Sequence, residues 1–253
     1  MRLNVDILGA GPDLVMLHGW GMNNAVWSDF AARLAARWRL HLIELPGHGR
    51  SAPPLSDKPD AWVDACLAVA PRRAVWAGWS LGGQLLPRIV MRAPERVRAL
   101  YGIAASPRFV VGDDWPHAMP VELLRGFRAR LEADPSATLQ QFLALQVRGA
   151  VGARALMRRL KQGFAARPYP DSNALAAGLA WLRDGDTRAD LAACPVPVHW
   201  LLGARDTLVP AAVAVDLRAL RPALRVEILP DAAHAPFLSH PADVAEWLHP
   251  DEA

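Results

Sequence analysis

Cysteine is nearly missing from this chain: Cys66 and Cys194 are the only two in 253 residues. Two thiols so far apart make no disulfide framework, and reduced thiols are what a cytoplasmic protein is expected to carry. No run approaches the roughly 20 consecutive apolar residues that a membrane-spanning helix needs, so no membrane partner is expected. The start, Met1-Arg2-Leu3-Asn4-Val5-Asp6, has no basic stretch followed by a sustained apolar one, and no signal peptide is expected. Histidine and cysteine nowhere fall at metal-ligand spacing, so neither a metal nor another cofactor is expected. Lysine is as scarce as cysteine, with Lys58 and Lys161 alone, and arginine carries nearly all the positive charge. The net charge is only +3, which gives no reason to expect nucleic acid. Internal repeats and low-complexity tracts are absent as well.

What is present fits an ordinary globular chain, 52% hydrophobic and 21% charged. The length suits one large α/β domain with an inserted subdomain, and a monomer is the expectation. Along the chain, apolar runs alternate with helix-like segments. Strands are read at Asp13–Leu17, Leu40–Leu45, Ala74–Trp79, Ala99–Ala104, Val198–Gly203 and Arg225–Leu229, with a weaker edge strand at Leu3–Ile7. Amphipathic spacing marks a helix over Asn24–Arg37, and others follow at Ala61–Val69, Leu81–Arg92, Pro210–Leu220 and Pro241–Leu248. Strands and helices in alternation imply a mainly parallel central sheet flanked by helices. From about Phe109 the pattern changes to four helical segments with no strand between them. The division is therefore 1–110 and 188–253 as core, with 111–187 as a helical lid or cap inserted into it.

The chemistry gathers at Gly78-Trp79-Ser80-Leu81-Gly82. A short apolar strand leads into it and a helix leaves it. In that context Gly-x-Ser-x-Gly resembles the nucleophile elbow of the α/β-hydrolase fold. The serine sits in a strained backbone turn, and Gly78 and Gly82 have no Cβ to collide with the chain passing beside them. A serine hydroxyl is a poor nucleophile at neutral pH, so it needs a base and a third group to orient that base. In this fold the three come in the order Ser, Asp or Glu, His. Ser80 is followed by Asp206, at the end of a late strand, and by His234, in the loop after the last strand. Asp216 lies within a helix, and Asp231 shares the loop of His234. His41 and His199 lie in strands and His249 near the terminus, leaving His117 and His240 as loose competitors. His48, in Pro46-Gly47-His48-Gly49-Arg50-Ser51, is read as a surface or loop histidine. His18-Gly19-Trp20 follows the strand Asp13–Leu17, where the fold builds half of its oxyanion hole. The Trp20 N–H would face the Leu81 N–H, because a tetrahedral intermediate concentrates negative charge on one oxygen.

Several segments together resemble one family, the pimeloyl-[acyl-carrier protein] methyl ester esterases of biotin synthesis. They are Leu17-His18-Gly19-Trp20-Gly21-Met22-Asn23, Leu45 to Ser51, Gly78 to Gly83, Ala105-Ser106-Pro107 with Trp115-Pro116, Phe142-Leu143-Ala144-Leu145-Gln146, and Ala232 to Phe237. The resemblance spans nearly the whole chain. It implies a serine carboxylesterase that removes the methyl ester from a pimeloyl chain held as a thioester on the phosphopantetheine of acyl carrier protein. Ser80 would attack, methanol would leave and water would release the free carboxylate. Trp20, Ser80, Leu81, Phe142, Leu143, Ala144, Leu145, Gln146 and His234 would bind the substrate. Between Val121 and Pro170 nine basic side chains stand against three acidic ones, a local excess of +6. The resemblance makes this lid the dock for an acidic carrier, with Arg154 and Arg158 at matching positions and Arg148, Arg159 and Lys161 adding to the face. The family's basic residues just before Phe142 are replaced here by Ala137 and Gln141. A carboxylesterase for short free esters is the alternative reading, and a non-catalytic ligand-binding relative a third.

Overall fold

The computed structural model describes residues 2–249. One sheet is built from β1 (Val5–Leu8), β2 (Asp13–Leu17), β3 (Arg39–Ile43), β4 (Ala74–Trp79), β5 (Val97–Ile103), β6 (Val198–Gly203) and β7 (Arg225–Leu229), in the spatial order β1-β3-β2-β4-β5-β6-β7. β1 runs antiparallel on the edge, with Val5 opposite Ile43, and the other pairings are parallel. A parallel pair needs a long crossover, and here the crossovers carry helices. Those of the sheet are α1 (Ser28–Leu34), α2 (Pro59–Val69), α3 (Leu81–Arg92), α8 (Arg188–Ala192) and α9 (Val213–Leu220), and α10 (Pro236–Ser239) and α11 (Pro241–Trp247) follow the last strand. Between β5 and β6 lie α4 (Val121–Ala133), α5 (Pro135–Gln146), α6 (Ala153–Ala165) and α7 (Ser172–Asp184). None of the described helices is long and apolar enough to cross a membrane.

β4 holds the centre. It lies between β2 and β5, and all six of its residues are buried. The period of two sends Ala74 and Trp76 into one apolar layer and Val75, Ala77 and Trp79 into the other. The first layer includes Leu85, Ile89 and Trp200, and the second Trp27, Phe30 and Phe237. A fully buried strand has no polar face, so it reads as a continuous apolar run. Its carboxyl end therefore delivers the next residue, Ser80, to the middle of the sheet edge, where open α/β sheets bind ligands.

Local departures from the sequence expectation have local causes. The helix expected over Asn24–Arg37 is two pieces, a 3-10 turn at Asn24–Trp27 and then α1. Asn23 caps the turn by accepting the Ala25 N–H. Proline at position 87 is tolerated inside α3, which continues to Arg92. The passages that enter and leave the four-helix segment run side by side. Arg108 bridges to Asp186, while Arg188 pairs with Asp114 at 2.9 Å and with Asp186 at 2.7 Å.

Candidate active site

Ser80 has φ 54° and ψ −117°, a region that non-glycine residues avoid at a cost of about 1–3 kcal/mol. Its backbone is held there from both sides. The Ser80 N–H donates to the Ile103 carbonyl at 3.0 Å, and the Ser80 carbonyl accepts from the Gln84 N–H at 3.0 Å. A Cβ on Gly78 would lie 2.4 Å from the Gly82 carbonyl oxygen, and one on Gly82 would lie 2.5 Å from that of Leu17. Both glycines are thus required by close backbone approach, which is what lets the turn be so tight.

The sequence candidates for the other two groups are adjacent in space. His234 Nδ1–H donates to Asp206 Oδ2 at 2.8 Å, and both side chains are almost fully enclosed. The other carboxylate oxygen of Asp206 accepts the N–H groups of Leu208 and Val209 at 2.8 and 2.9 Å. Those bonds fix the carboxylate facing the ring. With its proton on Nδ1, the imidazole presents a lone pair at Nε2. That nitrogen is buried and has no hydrogen-bond partner, the Ser80 hydroxyl included. An unmatched buried acceptor costs about 1–3 kcal/mol, and it leaves Nε2 open to accept a proton.

Trp20 and Leu81 stand on the two turns that meet at the serine. A Cβ on Gly19 would come within 3.3 Å of the Ser80 Cβ, so the Trp20 turn lies against Ser80. Leu81 is the first residue of α3, and its N–H has no intrahelical acceptor. The neighbours of the Trp20 amide are committed: Gly21 N–H to His48 Nε2 at 3.3 Å, and Met22 N–H to the Gly19 carbonyl at 3.2 Å.

The four-helix segment closes over this edge. The Trp20 indole donates to the Leu175 carbonyl at 2.8 Å, and its ring packs edge-on against Phe142 with centroids 4.8 Å apart. Ser80 is 2% exposed and His234 1%. Of the acyl-site candidates on α5, Phe142 reaches Trp20, and Gln146 is buried with its Oε1 unpartnered. Leu143 joins the layer of Trp27 and Trp79, and Leu145 is half-buried. Ala144 is exposed, about 200° around the helix from Phe142, so α5 turns it away from Trp20. An open cleft of about 470 Å³ at the foot of the segment, lined by Asp114, Trp115, Asp186, Arg188 and Asp216, contains none of these groups.

Two histidines near the site are structural. His48 is fully buried rather than on the surface, because the loop folds inward against Trp62 and His18. Its Nδ1–H donates to the Pro46 carbonyl at 2.9 Å. His18 donates from Nδ1 to the Gly19 carbonyl at 2.8 Å and accepts the Leu45 N–H at Nε2. Burial holds both neutral, pushing His18 down to about 3 and His48 to about 4. The competitors are occupied elsewhere: His117 pairs with Asp216 at 2.8 Å, and His240 meets the Ser239 hydroxyl.

The basic side chains divide into two groups. Arg148, Arg154, Arg158 and Lys161 are exposed and form no ion pair among the described residues. Arg159 is committed inward, with Nη1–H donating to the Leu238 carbonyl at 2.7 Å and Nη2–H to Asp29 at 2.9 Å. On α4, Arg128 pairs with Glu132, and Arg130 donates to Gln141 at 2.7 Å.

Residues 14–247 match the model of the alpha/beta hydrolase family. Among curated proteins, the pimeloyl-[acyl-carrier protein] methyl ester esterase of Pectobacterium atrosepticum is 46% identical over 95% of this chain and 94% of its own. The protein of the same name from Aeromonas salmonicida is 42% identical over 97% of both. Among solved structures, an esterase from Exiguobacterium antarcticum superposes with a TM-score of 0.86 at 21% identity, over 97% of this chain and 93% of its own.

Proposed function

The chain belongs to the alpha/beta hydrolase family and, within it, to the pimeloyl-[acyl-carrier protein] methyl ester esterases; on that premise we propose that it is a serine carboxylesterase hydrolysing pimeloyl-[acyl-carrier protein] methyl ester in biotin synthesis. The observation that carries the catalytic assignment is the buried Asp206–His234 pair with Nε2 unpartnered, together with a buried Ser80 in a strained turn. In this reading Ser80 Oγ attacks the ester carbonyl while His234 Nε2 takes its proton. Asp206 holds the resulting imidazolium, and the N–H groups of Trp20 and Leu81 receive the oxyanion. The intermediate collapses, the methoxy oxygen takes the proton from His234, and methanol leaves. Water then attacks the acyl-enzyme, with His234 again as base, and the pimeloyl chain departs as a free carboxylate on its carrier.

We read residues 111–187 as a lid over a core made of 1–110 and 188–253. Burial of Ser80 and His234 beneath it supports this reading, since an ester on a carrier protein must enter with the lid displaced. Arg148, Arg154 and Arg158 are assigned to carrier docking, supported by their exposure and their lack of acidic partners among the described residues. Arg159 is withdrawn from that set, because its guanidinium ties α6 to Asp29 and Leu238. Phe142 and Gln146 are kept as acyl-site residues, and Ala144 is not. Pimeloyl-carrier methyl ester incubated with the purified protein should release methanol and leave a demethylated carrier. Ser80→Ala should abolish both, and undiminished turnover by that variant would refute the assignment.

A further inference from the structure

Trp79 is the residue before the serine, and its side chain is fully buried. The alternation of β4 sends its ring into the layer that holds the loop after β7. There the indole Nε1–H donates to the main-chain carbonyl of His234 at 2.7 Å. The ring is clamped by Phe237, with centroids 5.0 Å apart and planes at 77°, and by Trp27 at 6.1 Å. Its other flank is against the oxyanion turn, where a Cβ on Gly19 would lie 3.1 Å from the indole.

We infer that Trp79 is a positioning residue for His234, a common mount that keeps base and nucleophile in register. The inference rests on the reading of His234 as the base. His234 is held at two points on opposite sides of the residue. Its ring is tied to Asp206, and its backbone to Trp79. The first bond fixes the tautomer but leaves the ring free to pivot about Nδ1. The second fixes where the Cα sits, and therefore how far Nε2 stands from Ser80. Because Trp79 and Ser80 are consecutive on one strand end, any shift of the serine carries the anchor of the base with it. A displacement of about 1 Å between reacting groups costs up to about 100-fold in rate, so an anchor of this kind acts on turnover rather than on binding.

Trp79→Phe keeps an aromatic ring and removes the donor. With a short p-nitrophenyl ester, kcat should fall about 10- to 100-fold while KM stays within about twofold. The decisive readout is the coupling to the base. In a His234→Ala background, Trp79→Phe should change the residual Ser80-dependent rate by less than about twofold, because nothing is left to position. A residue that only fills the core would lower both rates by the same factor, and that result would overturn the inference, as would an unchanged kcat in the single variant. If Trp79→Phe does not fold, benzothienylalanine at position 79 keeps the bicyclic shape with sulfur in place of the N–H, and the same outcomes apply. Failure of the underlying reading looks different: His234→Ala would then keep full turnover, whatever stands at position 79.

Discussion

The carboxyl edge of the sheet and the face of α6 solve opposite problems. At the sheet edge, Ser80, Asp206 and His234 are buried, and their backbones or side chains are pinned by hydrogen bonds at 2.8–3.0 Å. On α6, Leu156 and Leu160 face inward, while Arg154 and Arg158 stand in solvent one helical turn apart with no ion pair among the described residues. Buried groups are worth fixing because a reaction depends on sub-ångström placement. Exposed charges need no fixed geometry. They act through a field that is screened over about 10 Å in ordinary salt and mainly alter encounter with a charged partner. The contrast teaches that one substitution should touch chemistry on every ester, and another should touch only an ester that arrives on an acidic protein.

Asp206→Asn tests the buried half most severely. It keeps the shape and both backbone contacts but no longer holds the proton on Nδ1. Turnover of carrier-linked and free esters alike should fall about 10³- to 10⁴-fold, measured as kcat on each. A loss confined to one substrate would break the division between the regions.

Acid should reach the core long before it affects the exposed arginines. His18 and His48 are held neutral in the folded chain, taking protons only near about 3 and about 4, against 6.5 ordinarily. The unfolded chain therefore binds protons that the folded chain refuses. Stability is complete above pH 6.5 and falls as pH drops through the window below it, by about 2 kcal/mol per histidine at pH 5. Urea midpoints at pH 7 and pH 5 measure this, and His48→Gln should remove about half of the loss.

The smallest expected effect belongs to Arg159, which lies on α6 but is tied to Asp29 and Leu238. Arg159→Ala should cost about 1 kcal/mol, or about 2–4 °C in Tm, and leave the ratio of carrier-linked to free-ester turnover unchanged. A selective loss on the carrier would return Arg159 to the docking face.

Much of this was legible before the fold was seen, because buried strands and a strained elbow leave strong patterns. β6 runs over the residues that its apolar stretch marks and is buried throughout, β7 covers Arg225–Leu229 as read although it is half-exposed, and Ser80, Asp206 and His234 each follow a strand end. The short helices α8 and α10 leave no sequence signal, since four or five residues are too few to show a 3.6-residue period. His48 reads as a surface or loop histidine because glycine-punctuated loops are usually solvated; it does lie in the loop, but nothing local reveals that this loop packs on Trp62 and buries it. The Trp79 bond spans 155 residues and the Arg159–Asp29 pair 130, so no spacing rule reaches either. Long-range side-chain partners are what sequence pattern leaves out. The partial replacement of α5 charge has a structural counterpart in Arg130, which Gln141 holds at the lid surface.

One division of labour is proposed for the molecule: residues 1–110 and 188–253 carry the chemistry, and the helical segment between them selects the carrier. It is tested most directly by reversing Arg154 and Arg158 to glutamate and comparing kcat/KM on pimeloyl-carrier methyl ester with that on a short p-nitrophenyl ester. The carrier-linked value should fall about 10- to 100-fold, with the wild-type enzyme losing its advantage as salt is raised, while the free-ester value stays within about twofold. Equal losses on both esters, or none on the carrier, would contradict the account.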